Sequence, residues 1–110
     1  MGKTYITNLV CSVKAASDIA KNRFIGLDGA LPSAGAVVLG VSIDSAAAGE
    51  GLPVAMNGIL IVEAAGSITA GAAVSTDANG KCVAQASTAA TVGYALEAAS
   101  SGDLLKIKLV

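Results

Sequence analysis

Two stretches of the chain share one pattern, and this internal duplication limits the fold more than any other feature of the sequence. The pattern occupies residues 39–54 and again residues 92–107. In each copy a glycine, Gly40 or Gly93, lies in an alternating run and is followed four residues later by an acid. Small residues, a glycine–acid pair and a second alternating run come next. Because successive side chains of a strand point to opposite faces, each copy predicts a strand, a turn and a strand.

The likeness extends beyond these two stretches. Residues 68–77 match residues 19–28 at an offset of 49, and the offset becomes 53 at the Gly40 and Gly93 pair, so the second copy holds four additional residues around 84–90. We interpret residues 1–110 as a single domain with two pseudo-repeats, about 9–56 and 58–109. Each unit of short strands needs a neighbour to cover its apolar face. The predicted fold is therefore all-β, a small barrel or sandwich of short antiparallel strands.

Alternation, inside and outside the duplicated pattern, predicts the individual strands. Tyr5 to Val13 alternates throughout, and we interpret residues 1–10 as an extended N-terminal arm. Pro53 predicts an edge strand or a non-bonding position, because proline has no N–H. Tyr94 is expected in the core or at its rim. The other strands predicted for the first part of the chain are residues 23–27, 37–43, 52–56 and 59–63. In the last strand, Leu105, Ile107 and Leu109 are expected on one face, and Leu104, Lys106 and Lys108 on the other.

Composition and charge argue against several classes of partner. Seven Lys and Arg residues are scattered among eight Asp and Glu, for a net charge of −1, so no basic patch indicates nucleic-acid binding. No apolar run approaches the roughly 20 residues of a membrane span. Hydrophobic residues make up 54% of the chain, but 23 of them are alanine, which predicts a thin core. We expect self-association or docking on a partner to add stability.

The residue types needed for catalysis do not come together in this sequence. The chain has no histidine, and its acids stand in or beside predicted turns, where a carboxylate bonds its own backbone. The acid pairs are too sparse for calcium, which needs six to eight oxygen ligands. Cys11 and Cys82 have no metal-binding spacing and are interpreted as small buried hydrophobic residues. We therefore predict no catalytic residue, no metal and no cofactor.

Four segments give the chain a family resemblance. Residues 21–29, 39–50, 68–81 and 92–103 are similar to segments of the small capsid decoration, or cement, proteins of tailed bacteriophages. The resemblance implies a β-rich virion protein that is made in the bacterial cytoplasm. It also implies that the protein binds the outside of the expanded capsid and bridges subunits of the major capsid protein. Relatives often form trimers, so a homo-oligomer, with a trimer favoured, is expected.

The N-terminal arm is the candidate partner-binding site. An alternating strand at a chain end can add itself to the sheet of a partner. The candidate residues are Tyr5, Ile6, Thr7, Asn8, Leu9 and Val10. The same stretch would also serve as the first strand of the protein's own sheet. Two other functions stay open at this point. One is a cytosolic β-barrel binding module or self-assembling scaffold. The other is a degenerate enzyme domain or a carrier domain modified at Lys81.

Overall fold

The computed structural model describes residues 10–86 and 88–110, and all regular structure in this part of the chain is β-strand. The strands are β1 (Val10–Lys14), β2 (Phe24–Ile25), β3 (Gly40–Ser42), β4 (Gly51–Ala55), β5 (Ile59–Glu63), β6 (Ala73–Thr76), β7 (Cys82–Ala84), β8 (Gly93–Ala95) and β9 (Leu104–Leu109). They form two antiparallel sheets that pack as a sandwich. The all-β prediction is confirmed. Among the described residues, no helix has the length and apolar character to span a membrane.

The strands predicted between residues 23 and 63 exist, and two of them are shorter than predicted. Residues 59–63 form β5 with the predicted bounds, whereas residues 37–43 contribute only the three-residue β3. The edge position suggested by Pro53 is wrong, because β4 lies between β1 and β3. The alternative, a non-bonding position, fits instead. The Pro53 carbonyl accepts a hydrogen bond from the Ile43 amide, so its nitrogen faces the same side, just past the end of β3.

The two sheets have corresponding strand orders. The first sheet has the order β1-β4-β3-β2, and the second has the order β5-β9-β8-β6-β7. In this comparison β1, β4, β3 and β2 correspond to β5, β9, β8 and β6. The remaining strand, β7, extends the edge of the second sheet. It directly precedes the stretch where the second half of the sequence is four residues longer.

Hydrogen bonds outside the strands correspond as well. Ile19 and Ala46 exchange backbone hydrogen bonds of 2.9 and 3.0 Å, and Ile68 and Ala99 do so at 2.8 and 3.0 Å. A carboxylate closes the following turn in both halves: Glu50 accepts from the Ala47 amide, and Asp103 accepts from the Ser100 amide. These correspondences favour two repeats of one unit within a single domain, which we propose as the organisation of the chain.

Alternation gives each sheet two faces, which we name front and back. The front faces comprise Ile25, Leu52 and Val54 in the first sheet, and Val74, Ala95, Leu105 and Ile107 in the second. The back faces comprise Phe24, Val41 and Ala55 in the first sheet, and Ala73, Tyr94 and Lys108 in the second. Phe24, Val41 and Ala55 are fully buried in one core with Leu105 and Ile107. The sheets therefore pack front to back: the front of the second covers the back of the first.

The front of the first sheet is covered by the chain's own loop. Residues 26–39, the front loop, contribute Leu31 and Leu39 to a second, smaller core with Leu52. The loop crosses the front face to the opposite edge of the sheet. There the Gly29 carbonyl accepts a hydrogen bond from the amide of Ala16, just after β1, at 3.4 Å. This loop gives the first sheet the cover that a neighbouring sheet would otherwise supply.

Candidate docking surfaces

The predicted N-terminal site is only partly described by the structure. Residues 5–9, which include Tyr5 and Leu9, lie outside the described residues. Val10 is the first residue of β1, pairs with Ala55 and is 46% exposed. Among the described strands, β1 is the edge of its sheet and pairs only with β4. The arm residues therefore precede an edge strand, and the side of β1 that faces away from β4 offers backbone groups for pairing.

An ionic cluster joins the two sheets next to β2, at the other edge of the first sheet. The Glu63 carboxylate contacts Arg23 Nη2 and Lys81 Nζ, each at 3.1 Å, and the three side chains are 20 to 31% exposed. The hydrogen bonds from Lys81 and, second, from Arg23 hold the pKa of Glu63 below its usual range. The Glu63 amide also donates to the Asn22 carbonyl at 3.1 Å. The cluster links the two sheets. Lys81, the lysine that a carrier function would modify, is one of its ion-paired members.

The acids of the turns bond the backbone, as the sequence indicated. Asp77 Oδ1 accepts from the Asn79 amide at 2.9 Å and from the Lys81 amide at 2.8 Å. Asp28 Oδ1 accepts from the Ala30 amide, and Glu97 Oε2 accepts from the Lys106 amide. Within the described ranges, no three His, Cys, Asp or Glu residues are grouped so that they would hold a metal ion. These carboxylates stabilise turns.

The two cysteines differ in accessibility. Cys82 is fully buried, and burial, assisted by the charge of Asp77, raises the pKa of its thiol to about 12. It is therefore a neutral thiol at physiological pH and a poor nucleophile. Cys11 is half-buried on β1 and is a free thiol. The interpretation as a small buried hydrophobic residue holds for Cys82 and only in part for Cys11.

The back face of the second sheet is apolar and exposed at its centre. Tyr94 is 44% exposed and Leu96 is 45% exposed. Tyr94 lies opposite Lys108, and the Leu96 amide donates to the carbonyl of Lys106, so two lysines lie directly beside the apolar side chains. Because charged and apolar groups are mixed, this face suits a partner that offers both apolar contacts and acids.

A second exposed apolar surface lies on the front loop. Leu27 is 69% exposed and Val37 is 62% exposed. Both line a shallow groove that also includes Leu31, Pro32 and the acid Asp28. The front loop therefore presents apolar side chains beside a negative charge.

Sequence reasoning missed both of these surfaces. Alternation places Tyr94 and Ala95 on opposite faces of a strand, but it does not say which face of a sheet another element covers. Leu27 stands within a stretch predicted as a strand, and its exposure follows from the early end of β2 at Ile25. A useful sequence signal is the difference between the repeats at corresponding positions, where the first has Val41 and the second has Tyr94. Val41 is fully buried, so the two repeats differ in cover.

Comparisons with known proteins agree with this architecture. The family model for phage cement proteins matches residues 4–109 of the chain. Among solved structures, the chain is similar to the N base of the head fiber gp8.5 in bacteriophage phi29. The TM-score is 0.77 with 21% identical residues, and the alignment covers 93% of each chain. At that identity the likeness concerns the fold. No curated protein matches the sequence.

Proposed function

The chain belongs to the phage cement protein family, and on that premise we propose that it binds the outer surface of a phage capsid and bridges subunits of the major capsid protein. The observation that carries this proposal is the family match over residues 4–109. The proposed role is structural, without catalysis, and the proposed location is the capsid exterior of the virion, after synthesis in the bacterial cytoplasm.

Stabilisation by such a protein follows from linkage. A ligand that binds only the assembled capsid lowers the free energy of that state relative to the dissociated subunits. A protein that contacts two neighbouring subunits gains further, because the second contact forms at a high effective concentration. Individually weak contacts at each surface are then sufficient. We also propose that the protein acts as a homo-oligomer, with a trimer favoured, since several copies held together multiply these contacts.

The arm, Tyr5 to Val10, is proposed as the element that pairs with a strand of the capsid protein or of a neighbouring decoration subunit. Support comes from the alternation of these residues and from the position of Val10 at the start of an edge strand. Main-chain hydrogen bonds would supply affinity, and alternate side chains would supply specificity.

Binding to capsids at two stages of maturation tests the proposed function. Purified protein is mixed with expanded capsids or with unexpanded procapsids of the cognate phage, and the bound fraction is measured by co-sedimentation. Binding to expanded capsids with a raised capsid melting temperature is expected. Protein that sediments with neither form would contradict the proposal and would leave a cytosolic scaffold as the better interpretation.

The role of the arm needs a variant that leaves the folded sheets intact. Deletion of residues 2–9 stops short of β1, which begins at Val10. We expect this deletion to reduce occupancy on expanded capsids. Deletion of residues 2–4 is the matched control, because it shortens the chain but keeps the alternating segment. Full occupancy by the longer deletion would remove the arm from the interface without affecting the proposal that the protein binds capsids.

A further inference from the structure

The two repeats differ in one respect that points to a missing neighbour. On the back of the first sheet, Val41 and Ala55 are fully buried beneath the second sheet. Their counterparts on the back of the second sheet are Tyr94, which is 44% exposed, and Lys108, which is also exposed. At these corresponding positions, the back face is covered in the first repeat and open in the second.

We propose that the back face of the second sheet docks the front loop of a second copy of this chain. The packing inside the chain is the precedent, because there a back face already receives the front side of the next repeat. In the second copy, the front side of the first repeat is the front loop. Among the described residues before the C-terminal one, its Leu27 and Val37 are the most exposed large apolar side chains. These side chains would meet Tyr94 and Leu96.

Charge complementarity supports the same occupant. On the back face, Lys106 and Lys108 of β9 lie side by side next to Tyr94 and Leu96. The front loop carries the exposed acid Asp28 in the groove with Leu27. A front loop on a back face therefore brings opposite charges together. Two back faces in contact would instead oppose lysines, which disfavours a twofold arrangement of that face.

Such a contact joins two different surfaces and is therefore heterologous. Heterologous contacts close into rings with three or more members or continue as open stacks, whereas a twofold dimer uses the same surface twice. The inference rests on the homo-oligomeric part of the proposed function and names the surfaces that would form it. It does not depend on capsid binding, so its primary measurement is the oligomeric state in solution.

Single charge substitutions on each surface test the contact in solution. Oligomeric state is measured by sedimentation equilibrium for the wild type, for Tyr94→Asp and for Leu27→Asp. The expected result is an assembled wild type and two monomeric variants. Thr69→Asp is the matched control, because it adds the same charge at an exposed turn residue outside both surfaces. Circular dichroism and the melting temperature establish that all variants are folded.

Mixing the two variants identifies the contact as heterologous. Tyr94→Asp keeps an intact front loop, and Leu27→Asp keeps an intact back face. An equimolar mixture should therefore form a dimer that does not grow further, although each variant alone is monomeric. A twofold contact between identical faces would give no such rescue, and that result would overturn the proposal.

Two further outcomes also overturn it. One is a wild type that is monomeric at the concentrations at which it decorates capsids. The other is a Tyr94→Asp variant that stays assembled. If that assembled variant no longer binds capsids, the back face is the contact for the major capsid protein instead. Wild-type protein that assembles but ignores capsids would contradict the proposed function and leave this inference standing.

Discussion

At the residue scale, two corresponding glycines allow neighbouring strands to approach closely. A Cβ atom on Gly40 would overlap the carbonyl oxygen of Ala55, and a Cβ atom on Gly93 would lie 2.6 Å from the carbonyl oxygen of Lys108. Real Cβ atoms essentially never approach another atom so closely. The obstacle in both cases is backbone, which cannot rotate away as a flexible side chain can. Glycine is needed at these two positions for lack of space.

Replacing Gly93 by alanine should therefore destabilise the protein. We expect Gly93→Ala to lower the free energy of unfolding by about 1–3 kcal/mol, because β8 and β9 must separate to admit the methyl group. Gly66→Ala is the control, since a Cβ on Gly66 would have no atom within 4 Å. Its effect should stay within about 0.5 kcal/mol. Chemical denaturation measures both values, and equal effects would contradict the close-approach explanation.

The ion-pair cluster around Glu63 makes stability depend on pH. The pKa of Glu63 in the folded protein is below its usual 4.5, chiefly because of the hydrogen bond from Lys81 and then that from Arg23. A lowered pKa means that the stabilisation is complete above the unfolded-state pKa and is lost as the pH falls through the folded-state pKa. The side chain is 24% exposed, so water weakens the pairs. We expect a contribution of about 1 kcal/mol near neutral pH.

Comparison with Glu63→Gln isolates this contribution. The wild type should be more stable than the variant by a constant amount from neutral pH down to about pH 5, and the difference should shrink below about pH 4.5. Other acids titrate in the same range, but they are present in both proteins and cancel in the difference. Urea unfolding at several pH values measures it. A difference that grows on acidification would contradict the assigned direction of the shift.

At the element scale, the sequence predicted where strands lie better than where they end. Alternation separated the two faces of β9 correctly, and β5 has its predicted bounds. Residues 37–43 are predicted as one strand, yet β3 comprises only Gly40–Ser42, since a strand lasts only as long as its partners do. β2 pairs with β3 over two residues, and nothing local in the sequence states that limit. The two docking surfaces escaped prediction for the same reason, because cover depends on contacts between repeats.

The two faces of β9 should respond differently to truncation. Ile107 is fully buried in the core between the sheets, whereas Leu104, on the other face of the same strand, is 43% exposed. Ile107→Ala should cost about 2–5 kcal/mol, because it leaves a cavity in the core. Leu104→Ala should cost under about 1 kcal/mol. Thermal or urea unfolding of the two variants measures the contrast, and similar losses would mean that the back face is covered in the isolated protein.

At the scale of the whole molecule, the sheets depend on each other although the repeats resemble two separate units. Phe24 and Val41 of the first sheet lie in the core of the second. The Phe24 amide donates to the carbonyl of Gly80 at 2.7 Å, which adds a direct bond between the halves. Much of this sandwich forms through pairing between distant residues, as in β5 with β9. Such topology folds more slowly than a helical bundle and favours one cooperative unit.

Cooperativity predicts that damage in one sheet exposes the other. Leu52→Ala removes a buried side chain from the core of the first sheet. The buried thiol of Cys82, in the other core, should then react faster with a thiol reagent, because opening of the whole domain becomes more frequent. A Cys11→Ser background removes the second thiol. An unchanged rate for Cys82 would show that the two sheets open independently.

The direction of packing between the sheets has a lasting consequence for how such a molecule can grow. Two units that pack through identical surfaces bury both surfaces, so no such surface is left for a further unit. Units that pack front to back always leave one back face uncovered, so a third or fourth unit would only transfer the uncovered face to the last unit. However many units such a chain contains, its last back face can be buried only by another molecule.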